Sequence, residues 1–388
     1  MCLREQIGRE IRESGAMRFS RYMELCLYDP AHGYYSRNAE QFGKAGDFYT
    51  ASDVHAVFGR LLAHQFEEMW RALDRPAQME ILELGPGRGL FARDVLDWSR
   101  KKYPDFFGAV TYTLQESSPA LRAKLRETLA GHIASGRAAV PQGRPTLLRT
   151  LAPEIPVIVF ANEFFDALPV EILSSKGKLH LVLEDSRLCE VWFPPTREEL
   201  EFLDRYSVHP EPGERVEVSL AAQRWIARIA AAIGHGFLLA IDYGYTRSEQ
   251  LAGRHRGTLM TYRAHSASAN PYEAPGEQDI TAHVNFSAIT AAAEQAAMLV
   301  QKPRSQSQFL IGIGERNQFS DAFEECRLPQ ERAKVALQLK HLVTPSGMGE
   351  TFQVLLASRG VDGKRVESLG GLTFGERSEG NPRLSIGG

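Results

Sequence analysis

A strand, a glycine-rich loop and a helix follow one another near residue 85, and this unit constrains the fold most strongly. Residues 79–84 form a largely apolar run typical of a buried strand, and residues 90–98 have the apolar spacing of a helix. Between them lies Gly85-Pro86-Gly87-Arg88-Gly89. A turn of this kind lets the backbone approach a ligand closely. The unit therefore predicts an open α/β sheet with a ligand at its edge.

The spacing of the glycines indicates which ligand. A dinucleotide fingerprint, G-x-G-x-x-G, needs glycine at position 90, where this chain has Leu90. The chain has G-x-G-x-G at Gly85, Gly87 and Gly89, with Glu83 two residues before the first glycine. S-adenosylmethionine carries an ammonium and no pyrophosphate, so a carboxylate such as Glu83 suits it. A bare tight turn is the alternative interpretation, and the position between strand and helix favours the cofactor.

Other segments extend the unit into a Rossmann-like, doubly wound sheet. Further strands are predicted at residues 110–115, 157–161, 237–241 and 352–357. Glu116 closes the second strand, where an acid accepts hydrogen bonds from ribose hydroxyls. The alternative is that Glu116 is a surface acid at a strand end.

At 388 residues the chain exceeds the roughly 250–300 residues at which one core stops growing, so we expect a core with insertions. The predicted division is an N-terminal helical, cofactor-covering segment (1–75), the core (76–169 and 219–245), a strand-rich insertion (170–218), an inserted loop and helical region with a core strand near 298 (246–345), a C-terminal core strand (346–375) and a disordered tail (376–388).

Composition excludes several classes of protein. The net charge of -3 argues against nucleic acid as a partner. The four cysteines lie far apart, which fits neither a zinc site nor a disulfide framework, and this favours a cytoplasmic location. We see no secretory or mitochondrial leader and no apolar run of about 18 residues, so we expect no membrane insertion. Neither a hydrolase elbow nor a P-loop is present, and the oligomeric state stays open.

Several motifs together resemble the MidA family of class I methyltransferases. They are Gly46-Asp47-Phe48-Tyr49-Thr50, the loop 83–89, Glu116-Ser117-Ser118-Pro119, the stretch 162–169 (Asn-Glu-Phe-Phe-Asp-Ala-Leu-Pro), Asp242-Tyr243-Gly244-Tyr245, Gly257-Thr258-Leu259, the stretch 275–284 and Met348-Gly349-Glu350-Thr351-Phe352. The resemblance runs from about residue 17 to about residue 375, and one departure is Asn285, where the family often has aspartate. A mitochondrial member of that family assists respiratory complex I assembly by dimethylating an arginine.

The resemblance implies that Glu163 and Asp166 are catalytic. Carboxylates hold a planar guanidinium bidentately and would make one of its nitrogens nucleophilic. Their spacing of three residues would place them on one helical turn. The alternative is that Asp166 caps or braces the turn that follows, and a structural role is the alternative for Glu163 as well.

The resemblance also implies further contacts. Asp47, Phe48 and Thr50 would close over the cofactor, with Ser117 and Asn162 also against it. Tyr243, Asp279, Thr281 and His283 would lie on the substrate side. Asp279 and His283, four residues apart, would form a metal pair only in a helix; no third ligand stands out, so no metal is expected.

The predicted function is S-adenosylmethionine-dependent methylation, with S-adenosylhomocysteine as product, of an arginine in a protein such as a complex I-type subunit. A cofactor-binding assembly factor without turnover, which would dock a partner on the inserted segments, is an alternative. A small-molecule methyltransferase is another alternative, because the glycine loop gives no information about the methyl acceptor. A nicotinamide-dependent oxidoreductase is disfavoured by Leu90.

Overall fold

The computed structural model describes residues 2–36, 56–141, 154–254, 256–263 and 266–374. The strands are, in chain order, β1 Met17–Arg18, β2 Met79–Leu84, β3 Val110–Gln115, β4 Ala138–Ala139, β5 Val157–Asn162, β6 Glu171–Ser174, β7 Gly177–Glu184, β8 Arg187–Phe193, β9 Arg215–Val218, β10 Gly236–Tyr245, β11 Met260–Arg263, β12 Ser266–Ser268, β13 Asp279–Thr281, β14 Val284–Asn285, β15 Leu299–Val300, β16 Arg304–Ser305 and β17 Phe352–Arg359. The predicted tail, 376–388, lies outside the described residues.

The helices are named by their bounds. They are Leu3–Ser14, Phe19–Tyr28, Ala56–Ala72, Leu90–Lys102, Pro104–Ala109, Pro119–Thr128, Ala130–Ala134, Arg197–Tyr206, Leu220–Ala232, Arg247–Leu251, Phe286–Gln295, Gln306–Glu315, Ser320–Phe323, Pro329–Val343 and Gly363–Glu367, with short 3-10 turns at Tyr34–Ser36 and Gly370–Leu372. In the described part of the chain, no helix has the length and apolar character that crossing a membrane requires.

The central sheet has the strand order β15-β17-β10-β5-β2-β3-β4. β4, β3, β2, β5 and β10 run parallel, and β17 is antiparallel to β10. The predicted doubly wound α/β fold is confirmed. The chain leaves β2 toward β3 and β4 on one side, and β5 and β10 lie on the other. The boundary between β2 and β5 is therefore the topological switch point, where open sheets of this kind bind ligands beyond the strand ends.

Helices cover both faces of this sheet because its strands are apolar on both sides. Helices Ala56–Ala72, Leu90–Lys102 and Gln306–Glu315 pack on one face. Leu220–Ala232 and Phe286–Gln295 pack on the other. On the first of these faces, Phe91 of the helix Leu90–Lys102 stacks on Phe160 of β5, with ring centroids 4.7 Å apart. Each such fully buried side chain stabilises the fold by about 1.5–3 kcal/mol.

A second sheet has the order β1-β7-β6-β9, with β8 paired to β7. Most of it comes from residues 170–218, and the short N-terminal strand β1 joins it through Met17 opposite Leu181. The helices Leu3–Ser14 and Phe19–Tyr28 pack against it in a separate apolar cluster. This packing fixes the N-terminal helices beside the switch point. Their position matters for the site below.

The region 246–345 differs from the predicted loop and helical region. Its strands β12, β11 and β13 form a small antiparallel sheet. These strands are only three or four residues long, which is too short for an alternation of apolar and polar residues to mark them in sequence. The core strand expected near 298 corresponds to β15, which pairs with β17 at the sheet edge. The division of the chain into the predicted segments stays a proposal.

Candidate active site

A cleft of about 800 Å³ lies at the switch point, within the range of ligand pockets. Its walls are the ends of β2, β3 and β5 and the N-terminal residues 28–36. The predicted site residues that line it are Glu83, Gly85, Gly87, Glu116, Ser117, Asn162, Glu163, Asp166 and Asp279. Those described but not lining it are Gly89, Tyr243, Thr281 and His283. Asp47, Phe48 and Thr50 lie outside the described residues.

The three glycines of the loop share a left-handed backbone, with φ values of +65°, +53° and +75°. A Cβ on Gly87 would meet nothing within 4 Å, so there only the backbone conformation requires glycine. A Cβ on Gly89 would lie 2.6 Å from Leu125 Cδ2. Gly89 therefore permits close packing of the helix Pro119–Thr128 against the loop, whereas Gly85 and Gly87 line the cleft and form a cradle there.

Glu83 lies directly before this cradle, and its carboxyl group is buried beside the cleft. The residue is 4% exposed, and within the described residues its Oε2 atom has no hydrogen-bond partner. Burial raises the pKa of Glu83 to about 8; the Tyr112 hydroxyl partly offsets this, and the charge of Glu116 adds to it. An unpartnered buried carboxylate oxygen is costly unless a ligand donor reaches it. The ammonium of S-adenosylmethionine fits this requirement.

Glu116 stands at the end of β3, on the neighbouring wall. Its carboxylate accepts a hydrogen bond from Ser118 N at 2.8 Å, and burial raises its pKa. Arg122 donates to the backbone carbonyls of Glu116 and Ser117, at 2.9 and 2.8 Å, and so fixes the strand end. The cleft therefore has a carboxylate in the position where this fold class binds ribose hydroxyls. Together with Glu83 and the open cradle, it fits S-adenosylmethionine.

The loop from Glu163 to Asp166 follows β5 and is not helical, so the predicted helical turn is wrong. Glu163 has a φ of +50°. The buried carboxylate of Asp242, on β10, accepts hydrogen bonds from the amides of Phe164, Phe165 and Asp166, at 3.1, 2.8 and 3.3 Å. These three amides are therefore held by a side chain of another strand, and no helix follows them. Asp242 thus shapes the loop that presents Glu163 and Asp166 to the cleft.

The acids of this loop lie close to other acids. Asp166 is 4% exposed, and no described residue is a hydrogen-bond partner for its Oδ1 atom. Burial and the charges of Asp242 and Asp279 raise the pKa of Asp166 well above its ordinary value. Burial also raises the pKa of Asp242 to about 8; the Phe165 amide opposes this, and Glu163 adds to it. Burial thus disfavours the ionised form of these acids, and a cationic ligand in the cleft would favour it.

The residues predicted for the substrate side separate into two groups. Asp279 is buried, lines the cleft and accepts hydrogen bonds from the Tyr35 hydroxyl and from Ile280 N, both at 2.9 Å. It belongs to β13, so the helical spacing considered for a metal pair with His283 does not exist.

The other three lie outside the cleft lining. Thr281 pairs with Met260 across the small sheet. The rings of Tyr243 and His283 stack with centroids 6.1 Å apart, and Tyr243 also contacts Phe352. Burial, with the charges of Glu163 and Asp166, raises the pKa of Tyr243, so its hydroxyl lies near the acids although the ring packs outside the lining.

Sequence reasoning missed two tyrosines of the cleft. Tyr28 donates its hydroxyl to the carbonyl of Ala167 at 2.8 Å, and its ring lies 5.6 Å from that of Tyr35. Both line the cleft. The sequence around Tyr34 and Tyr35 is rich in aromatic residues, which is the one local indication of their role. No local pattern predicts that Tyr35 contacts Asp279 on β13.

Curated relatives match most of the chain. The Drosophila melanogaster protein named "Protein arginine methyltransferase NDUFAF7 homolog, mitochondrial" is 29% identical over 400 residues, which span 92% of this chain and 85% of the relative. The Homo sapiens protein arginine methyltransferase NDUFAF7, mitochondrial, is 26% identical and spans 92% of this chain and 84% of the relative. Both are named mitochondrial, which contradicts the cytoplasmic location expected from the sequence, and that expectation is wrong.

A solved structure and a family model agree with these relatives. A methyl transferase candidate from Burkholderia thailandensis, solved with S-adenosyl-homocysteine bound, is 29% identical with a TM-score of 0.80, covering 95% of this chain and 94% of that one. A family model described as S-adenosyl-L-methionine-dependent methyltransferase matches residues 61–303, more than half of the chain. The chain therefore belongs to this family of methyltransferases, as its resemblance to the MidA family implied, and S-adenosylmethionine is its cofactor.

Proposed function

We propose that the protein transfers the methyl group of S-adenosylmethionine to an arginine side chain of a protein substrate, with a respiratory complex I-type subunit as the first candidate. One observation carries the proposal. A single cleft contains the glycine cradle, Glu83 with an Oε2 atom that has no hydrogen-bond partner among the described residues and, beyond β5, the acids Glu163 and Asp166. The names of the curated relatives support arginine as the acceptor and a protein as its carrier.

The cofactor half of the cleft would bind through complementary charge and shape. Glu83 would hold the ammonium, and Glu116 the ribose hydroxyls. Gly85 and Gly87 would admit the backbone close to the ligand, with Ser117 and Asn162 at its sides. When bound, the cofactor supplies a methyl group activated by a sulfonium. Contacts from Asp47, Phe48 and Thr50 stay a prediction.

The acceptor half would orient the guanidinium and receive its proton. Displacement at a sulfonium methyl depends mainly on alignment and on the electrostatics of the pocket. Glu163 and Asp166 would accept hydrogen bonds from the guanidinium and aim one nitrogen. The nitrogen that gains the methyl must lose a proton, and Asp166, with its raised pKa, is suited to accept it. Asp242 positions both acids through the loop amides.

A labelling experiment tests the proposal. The pure protein is incubated with methyl-labelled S-adenosylmethionine and a lysate of cells that lack the gene, and the labelled species is identified. A labelled protein whose label maps to arginine is expected. Label in small molecules would instead show a small-molecule methyltransferase, and cofactor binding by calorimetry without any transfer would show a non-catalytic assembly factor.

The variant Glu163→Gln tests the acceptor half. It should bind S-adenosylhomocysteine as tightly as the wild type, and its methylation rate should fall at least tenfold. Glu154→Gln is the matched control, because Glu154 is exposed just before the opposite end of β5. An unchanged rate in Glu163→Gln would remove Glu163 from the mechanism.

A further inference from the structure

We infer that Asp279 determines the specificity of the acceptor pocket: with Asp166 it forms a pair of carboxylates, contributed by two distant segments, that selects a guanidinium over an ammonium. The inference rests on the proposed function and deepens it, because it names the residue that distinguishes arginine from lysine at the same site.

The pair is assembled by contacts among three parts of the chain. The Ala282 amide, just beyond β13, donates to the backbone carbonyl of Asp166 at 3.0 Å. The Tyr35 hydroxyl holds Asp279, and the Tyr28 hydroxyl holds Ala167, the neighbour of Asp166. The two tyrosine rings contact each other, so the N-terminal segment bridges β13 and the loop after β5. Asp279 is thereby fixed in the same wall as Asp166.

The charge of the pair indicates a cation as the ligand. Both residues are at least 96% buried, and both line the cleft. The strongest influences on the pKa of Asp166 are its burial and the charges of Asp242 and Asp279, which all raise it. Its Oδ1 atom has no hydrogen-bond partner in the described structure. Two neighbouring buried carboxylates are costly unless a cation with hydrogen-bond donors joins them.

Of the three arginines that line the cleft, Arg88 belongs to the glycine loop on the cofactor side, and Arg21 and Arg122 have other partners. Arg21 pairs with Glu10 and Glu24, at 2.9 and 2.7 Å. Arg122 is held by backbone carbonyls at the end of β3. Since these cations have other partners, a positive charge brought by the acceptor would complete the pocket.

The shape of the pocket favours the planar cation. A guanidinium presents donors along several edges, so carboxylates on two segments can each accept from a different edge. It is weakly hydrated and stacks on aromatic rings such as those of Tyr28 and Tyr35. An ammonium is compact and strongly hydrated, so it gains less from carboxylates on two segments beside aromatic rings.

Calorimetry on the protein saturated with S-adenosylhomocysteine tests the inference. The probes are N-acetyl-arginine methylamide and N-acetyl-lysine methylamide. The wild type should bind the arginine probe at least tenfold more tightly than the lysine probe. Asp279→Asn should weaken arginine binding at least tenfold and reduce the ratio between the probes to less than threefold. Its affinity for S-adenosylhomocysteine should stay within twofold of the wild type.

The matched control is Glu277→Gln, which removes the same charge two residues away. Glu277 lies at the surface, with 46% of its side chain exposed, and pairs with Arg263. This variant should bind both probes like the wild type. Equal weakening in the two variants would show only a general electrostatic effect and would overturn the inference.

A second variant decides the outcome if Asp279→Asn does not fold. Asp279→Glu keeps the carboxylate and should retain a ratio of at least fivefold between the probes. Loss of this ratio overturns the inference, as does a wild type that binds neither probe or an Asp279→Asn that keeps the ratio. Failure of the proposed function is a separate result, because it appears as the absence of labelled protein arginine with the wild type.

Discussion

Replacing Glu83 by glutamine should stabilise the ligand-free protein and weaken its affinity for the cofactor. The folded protein raises the pKa of this carboxyl from 4.5 to about 8. A raised pKa means that the penalty on the ionised form is absent at low pH, grows as the pH rises above 4.5 and levels off above 8. At pH 7 the pH lies 2.5 units above the ordinary value of 4.5, and each unit corresponds to about 1.4 kcal/mol.

The penalty removed by Glu83→Gln is therefore about 3 kcal/mol at pH 7 and about 1 kcal/mol at pH 5. Urea unfolding of the ligand-free wild type and variant at both pH values measures this difference. In the bound state the sign reverses, because the ionised Glu83 would pair with the ammonium of the ligand. A hydrogen bond between charged groups contributes about 1.5–3 kcal/mol, so S-adenosylhomocysteine should bind roughly 10- to 100-fold more weakly to the variant.

Glu80→Gln is the matched control for binding. Glu80 lies on the same strand, toward the end remote from the glycine loop, and lines a different, smaller cavity. Its replacement should leave the calorimetric affinity for S-adenosylhomocysteine unchanged. Binding of the ligand by Glu83→Gln as tightly as by the wild type would refute this role of Glu83. A change in the free energy of unfolding that is equal at both pH values would refute it as well.

Three further variants test the fold around the site. Gly89→Ala forces a side chain into a left-handed backbone and against Leu125, so urea unfolding should show a loss of about 2–4 kcal/mol; a loss below about 1 kcal/mol would contradict the packing role. Asp242→Ala leaves three loop amides without their acceptor and should lower the methylation rate more than tenfold, whereas Asp242→Asn keeps an acceptor oxygen and should retain most of the rate; steady-state kinetics compares them, and equal rates would exclude the positioning role. Lys178→Met leaves Glu199 buried without the partner that lies 2.8 Å away, and the expected destabilisation in urea is about 3–5 kcal/mol; an unchanged midpoint would show that the pair contributes little.

Local sequence patterns are sufficient to predict much of the fold and part of the candidate site. The strand that ends at Leu84, the glycine spacing and the helix that begins at Leu90 are adjacent in sequence, so their apolar periodicity and turn chemistry are sufficient to predict the unit. The same holds for Glu116, because an acid at a strand end of a parallel sheet must lie at the ligand-binding edge. The end of the strand β5 likewise places the loop 163–166 at this edge, but the sequence does not predict the conformation of that loop.

Only the tertiary structure shows which residues line the part of the cleft that would bind the methyl acceptor. The spacing of Glu163 and Asp166 favours a helical turn, but the loop that contains them is not helical, and its amides donate to Asp242 on another strand. Asp279 reaches the cleft on a strand of three residues, which is too short for a periodic pattern to reveal it, and Tyr28 and Tyr35 reach the cleft from the N-terminal segment.

The sequence by itself thus determined the sheet, the cofactor and the edge of the sheet where chemistry would occur. These follow from burial patterns within single elements and from the rule that parallel strands share a ligand-binding edge. Only the tertiary structure decided which distant acids and aromatic rings meet Asp166. The pairing of remote segments depends on how the whole core packs, and no local pattern records it.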